Sequence, residues 1–231
     1  ILPVVQLTEV FRQALESHII TNAHRIVEGR MPELGYNEGD FFFLPQNSSQ
    51  GVAQTILDLC SRRLPARYAL SVFGGLQVLC PGRKGELGTR ELNRQLQGLL
   101  NPPADDRRDM EIEGVTLRMG DKVMHTRNNY DIGWTRDNGE VGAGVFNGDI
   151  GILEDIDRRE TLTVRYDDRV AYYTRQDALD LELAYAITVH KSQGSEFDAV
   201  IVPVFRCIRP LCYRNLLYTA VTRARSLLIL V

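Results

Sequence analysis

Residues 188–197 read Thr-Val-His-Lys-Ser-Gln-Gly-Ser-Glu-Phe, and residues 218–225 read Tyr-Thr-Ala-Val-Thr-Arg-Ala-Arg. Each is a polar turn, bearing Gly or Arg, beside an apolar strand. Ala199 to Val204 follows the first and Leu227 to Val231 the second. β-Branched runs bounded by polar loops suit strands buried on both faces of a parallel sheet. Loops at the ends of such strands are where α/β proteins bind ligands. The pair therefore predicts an α/β fold whose chemistry sits in these two turns.

The two segments resemble motifs V and VI of superfamily 1 helicases, with His190-Lys191-Ser192-Gln193-Gly194 and Glu196 in the form of the RecD-like branch. Gln6-Leu7-Thr8-Glu9-Val10-Phe11-Arg12-Gln13 resembles motif IV of the same branch. Three segments in the right order, spanning nearly the whole chain, are specific where one alone would be weak. The resemblance implies a RecA-like parallel-sheet domain (2A) lacking its own phosphate-binding loop, interrupted by a small SH3-like antiparallel β-barrel (2B).

Composition sets the outer bounds. The chain has 231 residues, 44% hydrophobic and 25% charged, which is ordinary for a globular protein. Its net charge of −3 gives no global basic field, so nucleic-acid contact must come from a local groove. No apolar run reaches the roughly 18 residues of a membrane span, and no signal peptide is visible. Cys60, Cys80, Cys207 and Cys212 lack the spacing of a zinc site, and scattered histidines do not complete one. Buried free thiols in a reducing cytosol are expected. The opening Ile1-Leu2-Pro3-Val4-Val5 reads as mid-pattern, so the chain is expected to be part of a longer protein.

Apolar spacing predicts helices over Val10–Glu28, Ser49–Leu64 and Thr89–Leu100, the first ended by Gly29 and the last N-capped by Thr89. Phe41–Leu44 and Leu76–Cys80 read as buried strands. Asn101 to Asp109, with two prolines and then a charge run, reads as a boundary whose charge run is a solvated turn. Beyond it short alternating strands are predicted at 115–117, 122–126, 149–156, 162–166 and 170–174, with the pattern of a small antiparallel barrel. The expected division is 1–110 and 184–231 for 2A, and 111–183 for 2B.

The resemblance assigns roles to residues. Arg12 and Arg223 match arginines that reach across a cleft to the γ-phosphate of ATP, where a guanidinium can bind phosphate oxygens bidentately as charge develops. Gln13, Gly194 and Glu196 fall at nucleotide-binding positions, with Glu196 facing the ribose. Thr89, Asn93, Thr188, His190 and Gln193 fall along the DNA path, where neutral polar groups suit sequence-blind backbone contacts. By themselves, an exposed Arg is usually a solvated charge and His190 a core-edge hydrogen-bonding group. Lys191 could contact phosphate or point to solvent.

Two segments invite misreading. Pro81 to Thr89 is Gly-rich but has no Lys directly after its second Gly, so it is not a P-loop. Glu154, Asp155 and Asp157 lie on a predicted half-exposed strand and make no Mg²⁺ site. Neither a Walker A lysine nor a Walker B acid is found, and ATP and Mg²⁺ are expected to be held mainly by a missing N-terminal RecA-like domain. Ile132 to Gly144, holding Trp134, reads as a Gly-rich insertion: a base-stacking loop or, more plainly, a mobile hairpin tip.

The resulting expectation is the C-terminal motor domain of a cytoplasmic ATP-dependent DNA helicase of 5′-to-3′ polarity. It would couple ATP hydrolysis to movement on single-stranded DNA in recombination and repair, alone, with other exonuclease V subunits, or within a relaxase-type helicase. The chain itself should not hydrolyse ATP. The alternative is a non-catalytic DNA- or protein-binding module derived from the same fold.

Overall fold

In the computed structural model, residues 17–36, 38–205 and 213–231 are described. Arg12, Gln13, Cys207 and Cys212 lie outside them, as does the expected helix before Ser17. Helix α1 spans His18–Val27, with Ser17 Oγ accepting from Ile20 N as N-cap. Gly29, at φ +76°, ends it in the left-handed conformation that glycine adopts at no cost. There follow β1 (Phe41–Phe43), α2 (Ser49–Asp58), α3 (Leu64–Tyr68), β2 (Leu76–Cys80) and α4 (Thr89–Leu100). At the far end lie β12 (Ala186–Thr188), β13 (Phe197–Val202), α5 (Arg214–Val221) and β14 (Ala224–Leu230).

The five strands form one wholly parallel sheet in the order β1-β14-β13-β2-β12. Successive side chains of a strand face opposite sides, so buried strands fill two cores. Val78, Ile201 and Ile229 face Val52, Ile56, Leu92 and Leu96 of α2 and α4. Leu79, Val200 and Leu228 face Ile19, Ala23, Leu216 and Ala220 of α1 and α5. Cys60 and Cys80 are buried free thiols, as expected.

Between α4 and β12 come β3 (Asp109–Ile112) and β4 (Val115–Arg118), a separate antiparallel pair. Then follow β5 (Lys122–His125), β6 (Asn129–Arg136), β7 (Val141–Val145), β8 (Ile150–Ile156), β9 (Leu162–Tyr166), β10 (Arg169–Tyr173) and β11 (Leu181–Leu183). These seven form an antiparallel sheet in the order β11-β5-β8-β9-β10-β6-β7. It curls round its own core of Val123, Leu153, Leu162, Val164 and Tyr173.

Several local expectations need correcting. The second helix does not stop at Leu64. It passes through a π-helical turn at Leu59–Arg63 into α3. Pro65 has no N–H to give to the preceding turn, and a widened turn accommodates such a break. Thr89 is not the N-cap of α4; Gly88 is, at a site where a Cβ would strike the Arg83 and Lys84 backbone. The segment 132–144, expected as a hairpin tip or a base-stacking loop, belongs to the β6–β7 hairpin, with Trp134 lying against Gly142, where no Cβ would fit. The guanidinium of Arg136 stacks on one side of that indole at 5.2 Å. Trp134 is thus packed into its own hairpin.

Asn101, at the start of the expected boundary, is buried and belongs to a polar node around Asp121. Asp121 Oδ2 accepts from Gln97 Nε2 (2.6 Å) and Arg118 N (2.7 Å). Its Oδ1 accepts from Asn101 Nδ2 (2.7 Å) and Tyr185 Oη (2.8 Å). Burial pushes the carboxyl pKa up, against the pull of its donors. Nearby, Gln77 Nε2 of β2 donates to the carbonyls of Ala184 (3.0 Å) and Tyr185 (3.1 Å). Lys122, 4% exposed, gives its ammonium to Leu76 O (3.3 Å), and burial pulls its pKa down to about 8.

Removing the Asp121 carboxylate leaves several buried donors without an acceptor. Asp121→Ala should therefore lower the unfolding free energy by about 3 kcal/mol or more in urea titration. A loss below about 1 kcal/mol would show the node to be dispensable. A second expectation concerns pH. His125 is fully buried, neither ring nitrogen has a hydrogen-bond partner among the described residues, and burial lowers its pKa. The unfolded chain then binds the proton more readily, so stability is lost as pH falls from about 6.5 towards the lower folded value. In thermal melts His125→Phe should show a shallower decline over that interval than wild type; parallel declines would acquit His125.

Candidate nucleotide and nucleic-acid face

Parallel strands force the chain to return along the sheet between them, ordinarily over about a dozen residues or more and usually with a helix. The return from β12 to β13 has only Val189 to Glu196, and it passes β2 on the way. It begins with one 3₁₀ turn, Val189–Ser192, in which Thr188 Oγ1 accepts from Lys191 N. Ser192 is buried and donates through Oγ to Val189 O (2.7 Å). The side chains of His190, Gln193 and Glu196 are exposed. Gly194 has φ +86°, and none of the described residues comes within 4 Å of where a Cβ would stand.

The second turn closes onto the first. Arg223 follows α5, and Phe197 N donates to Arg223 O (2.8 Å). The Arg223 guanidinium donates to Ser195 O (3.0 Å), Thr219 O (3.2 Å) and Thr222 Oγ1 (3.2 Å). All three acceptors are neutral, and no carboxylate among the described residues pairs with it. Arg225 differs: its Nε meets Glu196 Oε2 at 3.0 Å, both side chains being more than half exposed. Such an exposed pair contributes little to stability. The structure thus brings Gly194, Glu196 and Arg223 together at the starts of β13 and β14.

The expected DNA-path residues divide. Thr188, His190 and Gln193 share the return segment, with His190 Nε2 3.2 Å from Tyr213 Oη. Thr89 and Asn93 lie apart from them, on α4, and both are buried. Asn93 is a structural tie: Nδ2 donates to Leu183 O (2.8 Å) and Ala186 O (2.9 Å), and Oδ1 accepts from Ala186 N (2.7 Å). Both its amide protons are spent inside the protein, so the expected DNA contact from Asn93 is withdrawn on geometric grounds.

Two features escaped the sequence reading. Lys191 points neither to solvent nor to an open phosphate site; its Nζ donates to Thr126 O (3.1 Å) and Asn147 Oδ1 (2.5 Å) in the antiparallel domain. A groove of about 610 Å³ lies between α4, the β3–β4 pair and β11, with Arg83, Arg90 and Arg94 along it. Arg83 and Arg94 are ion-paired to Glu182 and Glu91. The signal was the i, i+4 spacing of Arg90 and Arg94 on one helix face.

Comparison with known proteins places these features in a lineage. Residues 92–166 match the ATP-dependent RecD-like DNA helicase SH3 domain, and residues 183–231 match the UvrD-like helicase C-terminal domain. The chain is 36% identical to the ATP-dependent RecD2 DNA helicase of Deinococcus radiodurans over 97% of its own length and 28% of that protein. It is 30% identical to RecBCD enzyme subunit RecD of Mycolicibacterium smegmatis, over 69% of this chain and 26% of that protein. It spans less than a third of either relative. In fold it is similar to a Bacteroides Pif1 helicase, solved in complex with ADP-AlF3 and single-stranded DNA. That match has TM-score 0.53 and 21% identity over 98% of this chain and 51% of that one. A Candida albicans Pif1 helicase gives TM-score 0.51 at 16% identity, over 96% of this chain and 55% of that one.

The different settings of the polar residues give a direct test. Asn93→Ala should cost about 2 kcal/mol in chemical denaturation, because two buried carbonyls and an N–H lose their partner. Gln193→Ala should cost less than about 0.5 kcal/mol. Equal costs would contradict the structural role given to Asn93.

Proposed function

The chain belongs to the RecD-like branch of the superfamily 1 helicases, and on that premise we propose that it is the C-terminal motor part of an ATP-dependent DNA helicase. In this reading residues 1–110 and 184–231 make up domain 2A, and 111–183 are the inserted domain 2B. The observation that supports it most is the state of Arg223. Its guanidinium is oriented by three neutral acceptors, and no carboxylate among the described residues pairs with it. A guanidinium held in place without a carboxylate partner is available to bind phosphate oxygens bidentately.

ATP would lie against the starts of β13 and β14, with Gly194 permitting close approach and Glu196 turned to the ribose. Arg12 and Gln13, outside the described residues, are assigned to the same nucleotide. Bound ATP would bring the phosphoryl group that transfers to water, with Mg²⁺ neutralising its oxygens. What this chain contributes is charge at the γ-phosphate and a surface that closes on the nucleotide. The phosphate-binding lysine and the acid for Mg²⁺ are assigned to a partner RecA-like domain of the same protein, so this chain alone is expected not to hydrolyse ATP. Single-stranded DNA would pass over Thr188, His190 and Gln193 through contacts that ignore sequence. Closing and opening of the two motor domains would alternate grip and release, giving 5′-to-3′ movement in recombination and repair. Other exonuclease V subunits are candidate partners.

Arg223→Ala in the parent protein should lower the DNA-stimulated ATPase kcat by about 10³-fold while leaving ATP affinity within a few-fold. Undiminished turnover would remove Arg223 from the reaction and leave a DNA- or protein-binding module as the better account.

A further inference from the structure

Lys191 sits in the return segment that carries Gly194 and Glu196, yet its ammonium is committed elsewhere. It donates to Thr126 O, at the end of β5, and to Asn147 Oδ1, in the turn between β7 and β8. Asn147 is braced in turn, its N–H donating to Asn128 Oδ1 (2.9 Å). In the other direction the return segment is continuous with Arg223. Ser192 Oγ holds Val189 O, Ser195 N donates to Ser192 O (3.0 Å), and Ser195 O accepts from Arg223. A chain of bonds thus runs from Asn128 through Asn147 and Lys191 to the guanidinium.

We propose that Lys191 and Asn147 form a latch between the inserted domain and the nucleotide face, making both positioning residues for Arg223 and Gly194. A short return segment has little slack, so whatever fixes its middle fixes its end. Charge-assisted hydrogen bonds are the stronger kind, and the two acceptors of Lys191 come from separate turns of the inserted domain. Displacement of that domain therefore pulls on the segment through one ammonium. The functional half of this inference rests on the helicase reading above; the mechanical half does not.

The test uses Asn147→Ala, Asn147→Asp and Lys191→Met in the parent protein. Asn147 is exposed, and its substitution removes no core packing. Amide hydrogen exchange over residues 189–196 should speed by about tenfold or more in Asn147→Ala and in Lys191→Met, with no further change in the double variant. Asn147→Asp, which keeps an acceptor and adds a charge, should retain wild-type protection. If the parent is an ATPase, the latch-breaking variants should also lower DNA-stimulated kcat several-fold with little change in KM for ATP. Unchanged exchange in Asn147→Ala would overturn the latch. So would a Lys191→Met defect confined to DNA affinity, which would make Lys191 a phosphate contact. A parent without ATPase activity would remove the helicase reading, and exchange alone would then decide the latch.

Discussion

A carboxylate with no solvent around it must find its hydrogen bonds inside the protein, and Asp121 finds four. The donors come from α4, from the segment after it, from the end of β4 and from the approach to β12. These are the places where the chain leaves the parallel sheet and returns. Buried charge of this kind is costly in isolation and tolerated only with full satisfaction. The node therefore fixes one mutual arrangement of the two sheets, because any other would strand the carboxylate or its donors.

From that fixed point the geometry of the candidate face is a matter of chain length. Asn93 and Gln77 hold the approach to β12, and β12 hands over to a return segment too short for a helix. Its tightness places Ser195 under the Arg223 guanidinium and leaves Gly194 clear of the other described residues. Neutral acceptors orient Arg223. The same segment touches the antiparallel domain through Lys191, so the two sheets meet along this strip of backbone as well as where Met124 of β5 packs into the core beside β13 and α5.

Much of the scaffold was legible because burial imposes periodicity. Leu76–Cys80, Thr89–Leu100 and Leu162–Tyr166 fall where their patterns put them, and the polar turns beside β13 and β14 announced the face. What was not legible depends on partners distant in sequence. Asn93 looks like any polar helix residue until Ala186 is folded against it. Asn101 reads as a boundary because two prolines follow, yet its side chain serves Asp121. In the β6–β7 hairpin the glycines pointed to a tip, and the strands that run through Trp134 and Gly142 were not read. Gly142 is there because the indole of Trp134 occupies the space of a side chain.

The inserted sheet has its entry and exit strands side by side: β11 pairs with β5, and Ala184 N donates to Lys122 O at 2.8 Å. To the parallel sheet, the whole insert is therefore one loop with adjacent ends. Turns of the insert away from Thr126 and Asn147 could lengthen or shorten without moving the strands that carry Arg223. Such an arrangement separates two histories. The outer sheet is open to diversification among descendants, while the return from β12 to β13 admits almost no change of length.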